Sequence, residues 1–271
     1  VSKTGIGRIA FIGGGQMAQA LAAGAIEAQV LTAGELVFAE PSAQQQSLLR
    51  ELFPGCLVVE SSGQVLELCD RIVLSVKPQV LKKISEELAS KILERHVVVS
   101  IAAGISLSQL RQMLGTDRVI RVMPNTPAQV RAGAAAISAD ENMPAAEIRW
   151  VEQLMGAVGS VVRIPDSLMH AVTAVSGSGP AYIYLVIEAM SDGGVAAGLS
   201  RDIATRLAAQ TVLGAARMVL DTGLHPGQLK DQVTSPGGTT IAALRQLEGA
   251  GVRSAFIEAV VRSAERSEQL S

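Results

Sequence analysis

The stretch "IAFIGGGQMAQAL", Ile9–Leu21, decides the fold. Ile9–Ile12 is a short apolar run that reads as a buried strand. Gly13-Gly14-Gly15-Gln16-Met17-Ala18 follows it and spells G-x-G-x-x-A at the opening of an apolar helical run. Gly13 allows the tight turn. Gly15 has no side chain, so a pyrophosphate can approach the helix N-terminus and its free N–H groups. Ala18 permits close helix–strand packing. Taken alone, the six residues also describe a glycine-rich turn that merely folds tightly, so the surroundings must decide.

Outward from this stretch, short aliphatic runs alternate with amphipathic ones. Strands are expected at Ile9–Ile12, Leu36–Ala39, Leu57–Val59, Ile72–Val76, Val97–Ile101 and Val119–Met123. Helices are expected at Gln16–Ala28, Ala43–Phe53, Gly63–Cys69, Gln79–Leu93 and Leu107–Leu114. This alternation predicts βαβ units and a mostly parallel α/β sheet. "RAGAAAIS" and "SVVRIP" add two short strands around a helix at Ala145–Met155. After Pro165 the strand signal ends, and residues 180–198, 200–221, 239–249 and 251–269 read as Ala-rich helices. A dinucleotide-binding domain over residues 1–164 and an all-α domain over residues 165–271 are therefore expected.

Composition narrows the function. The 271 residues are 48% hydrophobic and only 3% aromatic, so the core must be aliphatic. Net charge is −2, and neither half of the chain is basic, which argues against nucleic acid as a ligand. Two cysteines and three histidines give no metal spacing and fit a reducing cytoplasm. The N-terminus reads as a first strand rather than a signal peptide. No uninterrupted apolar stretch reaches the roughly 18–20 residues of a membrane span.

Further candidates cluster at strand ends, where ligands of such sheets lie. Glu40 ends the second strand and can accept from adenosine ribose hydroxyls, or can be a solvated residue before the turn-making Pro41. Val76, Lys77 and Pro78, in "LSVKPQ", follow the fourth strand. Lys77 is placed to meet a phosphate or ribose, or to sit on the surface. Ala102 and Ala103, in "SIAAG", leave room for a flat ring. Asn125 lies in the stiff loop "VMPNTPA".

Two glycine-rich helix starts lie in the α-half. "SPGGTTIAAL", Ser235–Leu244, sets Gly237 and Gly238 against Thr239 and Thr240. Four helix-start N–H groups and the helix dipole suit a small carboxylate, with a threonine hydroxyl beside it. Ordinary N-capping explains the same residues. "VSGSGPAY" alternates Val175, Ser176 and Ser178 with glycines before Pro180, and again capping is the alternative. Tyr184 lacks the following Lys of short-chain dehydrogenases, and none of His96, His170 and His225 reads as a catalyst. A 3-hydroxyacid dehydrogenase needs a helical catalytic Lys, whereas the α-half holds only Lys230. A nucleotide-sensing protein without turnover is a further alternative.

The assembled residues resemble the pyrroline-5-carboxylate reductase family along essentially the whole chain. "FIGGGQMAQAL", "SVKPQ", "SIAAGI", "VMPNTPA", "VSGSGPAY", "DGGVAAGL" and "GVRSAFIEAV" carry the likeness, and "HPGQLKDQVTSPGGTTIAAL" is its most specific block. The resemblance implies a Rossmann domain followed by a helical dimerisation domain, a homodimer with interleaved helices, and in some members a ring of dimers. It implies hydride transfer from NADPH or NADH to 1-pyrroline-5-carboxylate, giving L-proline. Gly238, Thr239 and Thr240 would then hold the substrate carboxylate, with the Thr240 hydroxyl at the imine nitrogen as the catalytic group. Ser176 and Val175 would line the nicotinamide, with Ala103 and Asn125 opposite. Gly13, Gly15, Gln16 and Met17 would cradle the pyrophosphate. Many NADP-using relatives carry a polar and basic pair where this chain has Glu40-Pro41, so use of NADH is expected.

Overall fold

The computed structural model describes residues 7–270. Strands β1 (Ile9–Ile12), β2 (Leu36–Ala39), β3 (Leu57–Val59), β4 (Arg71–Leu74), β5 (Val97–Ser100) and β6 (Val119–Met123) alternate with helices. These helices are α1 (Gln16–Glu27), α2 (Ala43–Leu52), α3 (Ser62–Leu68), α4 (Pro78–Ala89) and α5 (Leu107–Leu114). Strand β7 (Gly133–Ala139), helix α6 (Ala145–Gly156) and strand β8 (Gly159–Arg163) complete the sheet. Its order is β3-β2-β1-β4-β5-β6-β7-β8, parallel throughout except for the antiparallel β6–β7 pair. This is the doubly wound order, with its reversal between β1 and β4.

The central strands are apolar without alternation because both sheet faces are covered. All four residues of β1, β2 and β5 are buried. One face packs Phe11, Phe38, Leu21 and Trp150 into a core, and the other packs Ile72, Leu81, Val98 and Leu110. Three of the chain's four phenylalanines stack in a row, Phe11 on Phe38 at 5.5 Å and Phe38 on Phe53 at 5.6 Å.

Some boundaries differ from the sequence expectation. β4 ends at Leu74 rather than Val76, since Leu74 is the last residue paired with β1, opposite Ile12. α4 ends at Ala89 rather than Leu93. The Lys91 and Ile92 amides both turn back to Leu88 O, and the Leu93 N–H is taken by His96 Nδ1 at 2.9 Å. His96 is fully buried, and its other ring nitrogen lies 2.9 Å from Leu66 O. Both nitrogens are thus committed to backbone.

After β8 the chain forms helix α7 (Met169–Val172) and a single π turn, Thr173–Gly177. Met169 and Ala174 are fully buried, and Gly177 closes the first compact unit, which also takes in the chain from Ser263 onward. The buried Arg121 of β6 pairs with Asp166 at 2.9 Å, whose other oxygen accepts the Leu107 N–H at the start of α5. One carboxylate therefore ties the sheet, a helix start and the segment leading into α7.

Ser178–Arg262 form the second unit. It holds α8 (Gly179–Ala196), α9 (Arg201–Thr222), α10 (Pro226–Gln232), α11 (Thr239–Gly249) and most of α12 (Val252–Gln269). Its own core is thin: α9 buries only Ala204 and Ala208, and α11 buries nothing. Leu185 at 65%, Leu207 at 54% and Leu220 at 78% stay exposed in the single chain. So much unpaired apolar surface on one face-rich helical unit marks an assembly surface. Among the described residues no helix is long and apolar enough to cross a membrane.

Phe38 is the middle ring of the phenylalanine stack and fully buried. Phe38→Ala is expected to cost about 3–5 kcal/mol of stability. Urea denaturation measures it, and a loss under about 1 kcal/mol would mean the stack contributes no more than an average contact.

Candidate active site

The glycine loop after β1 is held from both sides. The Gly13 N–H donates to Ala39 O of β2 at 2.9 Å. On the β4 side the Ser75 hydroxyl donates to Gly13 O at 2.7 Å and lies 3.0 Å from Ile12 O. Gly13 has φ +95°, and a Cβ there would lie 2.9 Å from both Ser75 O and Val76 Cγ1. Only glycine fits this left-handed, closely approached position. Gly14 is held at both ends of its peptide. Its N–H donates to Glu40 Oε2 at 3.0 Å, and its oxygen accepts from Gln19 Nε2 and Gln45 Nε2, each at 2.7 Å.

Gly15 is different: nothing lies within 4 Å of where its Cβ would be. It is the N-cap of α1, with no side-chain cap and no acidic residue in the first turn. The N–H groups of Gln16 and Met17 therefore lie at the uncapped, positive end of a 12-residue helix, beside the open space at Gly15. The uncapped helix start suits the charge of a diphosphate, and the site lies at the strand-order reversal where dinucleotides bind. Ala18, fully buried, lets α1 approach the sheet.

Val76 is half-buried against Gly13, whereas Lys77 and Pro78 are exposed, Lys77 capping α4 through its backbone alone. Ala102 is buried and Ala103 exposed after β5. Ala103, Gly104, Pro78, Gln79 and Leu270 line a cavity of about 380 Å³ at this edge. Asn125 is a bridge: its Nδ2 donates to Ser176 O at 3.1 Å, and its Oδ1 accepts the Ala134 N–H at 2.8 Å. Ser176 belongs to the π turn, and its hydroxyl donates to Val172 O at 3.0 Å rather than capping α8. Asn125 thus fixes the turn that presents Val175, which is 63% exposed. Single π turns inside helices recur at functional sites.

In the helical unit, Gly237 takes φ +67° and Gly238 is the N-cap of α11. A Cβ on Gly238 would lie 2.3 Å from Ser235 Oγ, so a side chain there would have to turn the serine hydroxyl aside. Thr239 and Thr240 are the first two helical residues, and neither caps the helix. Capping therefore does not account for them: the first-turn amides and both hydroxyls remain available.

Ser75, Gln19 and Gln45 were not singled out by sequence. Each is an ordinary polar residue whose importance comes from a distant partner, and no spacing rule marks it. The two thiols are poor nucleophiles. Burial pushes Cys69 up to about 12 and raises Cys56 as well. Among the described residues no group of three or more His, Cys, Asp or Glu could hold a metal ion.

Comparison with known proteins decides the family. A family profile described as pyrroline-5-carboxylate reductase dimerisation matches residues 166–270, and one described as NADP oxidoreductase, coenzyme F420-dependent, matches residues 8–104. A pyrroline-5-carboxylate reductase of Arabidopsis thaliana is 47% identical over 97% of this chain and 95% of its own length. The chain belongs to the pyrroline-5-carboxylate reductase family. A solved pyrroline-5-carboxylate reductase from Coxiella burnetii superposes with a TM-score of 0.92, at 36% identity over 98% of this chain and 99% of that one. A Plasmodium falciparum pyrroline carboxylate reductase, solved with NADP bound, superposes at 0.85 with 31% identity over 97% of each chain. As a member of this family the chain is an NAD(P)H-dependent oxidoreductase.

The two glycines make separable predictions. Gly13→Ala forces a methyl group against Ser75 and should cost about 1–3 kcal/mol of stability. Gly15→Ala meets nothing in the fold and should leave the melting temperature within about 2 °C. It should still weaken dinucleotide binding about tenfold or more, since the methyl occupies the phosphate approach. Calorimetry and titration with NADH read both, and unchanged affinity in Gly15→Ala would remove the cradle from the account.

Proposed function

We propose that this chain reduces 1-pyrroline-5-carboxylate to L-proline with NAD(P)H, as the names of its relatives describe. The observation that carries the assignment of the substrate site is the start of α11. There, an N-terminus ringed by Gly237 and Gly238 offers uncommitted amides and two uncommitted threonine hydroxyls. Such an end holds a carboxylate by hydrogen bonds and by the helix dipole.

In this assignment the Thr239 and Thr240 N–H groups hold the substrate carboxylate, and Gly238 leaves the approach open. The Thr240 hydroxyl orients the imine nitrogen and holds a proton at it. In the first unit, the amides of Gly15, Gln16 and Met17 hold the diphosphate of the cofactor. Lys77 and Pro78 border its path. Val175 and Ser176 on the π turn, with Ala102, Ala103 and Asn125, frame the ring. Bound there, the reduced nicotinamide supplies a hydride to the imine carbon. The nitrogen gains a proton as the C=N bond becomes a C–N bond, so the reaction needs orientation and one proton but no nucleophile. This suits a site whose polar groups are hydroxyls and amides.

Residues 1–164 serve as the dinucleotide-binding domain and residues 165–271 as the dimerisation and substrate domain. The exposed leucines of α8 and α9 support a homodimer with interleaved helices, which can build further into a ring of dimers. The unpaired thiols Cys56 and Cys69 support a cytoplasmic setting.

Two measurements test this. Oxidation of NADH or NADPH with the cyclic imine should proceed, and Thr240→Val should lower kcat about 10²–10⁴-fold with cofactor affinity unchanged. Near wild-type turnover in a folded Thr240→Val protein would remove that residue from the chemistry. Sedimentation should show an obligate dimer, and a structure of it should show an interface of more than about 2,000 Å². A stable, active monomer at low concentration would contradict the assembly.

A further inference from the structure

We infer that Glu40 selects the cofactor, so that this chain binds NADH in preference to NADPH. The inference rests on the cofactor reading above and concerns the adenosine end of that site. Glu40 follows β2 beside the glycine loop, where the ribose of a dinucleotide laid over the α1 N-terminus comes to rest.

The carboxylate is held in place before any ligand arrives. Its Oε2 accepts the Gly14 N–H and its Oε1 accepts the Ser42 N–H, each at 3.0 Å. Its backbone is fixed too, with N–H to Val59 O at 3.0 Å and its oxygen accepting from Gln46 Nε2 at 2.8 Å. An ionised carboxylate has about four acceptor positions, and two are used here. The remaining two can take the 2′ and 3′ hydroxyls of NADH. A 2′-phosphate brings close to two negative charges and no donor, so it meets repulsion at the same point.

Several groups closest to such a phosphate are already committed. The Gly14 and Ser42 amides go to Glu40 itself. The Gln45 amide lies 3.4 Å from Ser42 Oγ, and the Gln45 side chain is on Gly14 O at 2.7 Å. Pro41 has no N–H. No Lys or Arg occurs between Glu40 and Arg50. Arg50 lies seven residues along α2 from its first residue, about 10 Å away along the axis. Its guanidinium donates instead to Gln46 Oε1 at 3.2 Å. Lys77 follows β4, two strands from β2 in the sheet order and so roughly 10 Å away.

Equilibrium titration of the full chain with NADH and with NADPH, without imine, tests this. NADH should bind about 10- to 150-fold more tightly, the worth of a hydrogen bond to a charged group. Glu40→Gln keeps the shape and removes the charge, and should bring the two affinities within about threefold of each other. Pro41→Arg, which leaves the carboxylate and its anchors in place, should raise NADPH affinity alone. Equal or tighter binding of NADPH by the wild type would overturn the inference while leaving the cofactor site standing. An unchanged ratio in folded Glu40→Gln would overturn it as well. Failure of the wild type to bind either dinucleotide would overturn the cofactor site and this inference together.

Discussion

The structure depends on how Gly13 sits between two strands. Its N–H is spent on β2 at Ala39 O, and its oxygen on the Ser75 hydroxyl beyond β4. Its left-handed backbone turns the chain out of β1, and the contacts at Ser75 and Val76 leave no room for a side chain. Everything else at this edge follows from that turn. It starts α1 at Gly15 with no side-chain cap over its first amides. It brings the Gly14 peptide within reach of Glu40, Gln19 and Gln45. It does so at the reversal of strand order, where two neighbouring helix connections leave the sheet on opposite sides and open a crevice.

The helical unit has a complementary logic. Five of its apolar positions could be made polar at no cost to a lone chain, yet they remain leucine and isoleucine; Leu185, Leu207, Leu220, Ile203 and Ile257 are all more than half exposed. The match to a dimerisation family model over this unit accounts for that surface, since such side chains favour burial in an assembly. The same unit carries the helix start at Gly238, whose cap has no side chain and where neither following threonine caps the helix.

Much of this was legible in the sequence, for physical reasons. Strands buried on both faces read as unbroken aliphatic runs, so β1, β2 and β6 fall where the pattern puts them; β3, at the sheet edge and partly exposed, was found by its apolar run alone. The glycine spacing around Gly13 and Gly15 is dictated by backbone geometry, which leaves a local trace. α4 was read too long because Ile92 and Leu93 continue its apolar rhythm, while the His96 ring ends it from outside the helix. The π turn had no sequence signal at all. It depends on Asn125, some 50 residues earlier, taking Ser176 O. Ser75, Gln19 and Gln45 stayed hidden for the same reason, since a side chain that serves a remote peptide looks like any other polar residue. Glu40 was visible as an acid after β2, but only the structure gives the two amides that hold it.

The central claim is that the glycine loop is a finished diphosphate cradle before cofactor arrives. A crystal structure of the full assembly with bound dinucleotide, beside one without it, tests this most directly. The account predicts the diphosphate on the amides of Gly15, Gln16 and Met17, with the backbone from Gly13 to Met17 displaced by less than about 1 Å between the two. A diphosphate bound elsewhere, or a loop that breaks the Ser75–Gly13 and Gly14–Glu40 hydrogen bonds to receive it, would contradict the account.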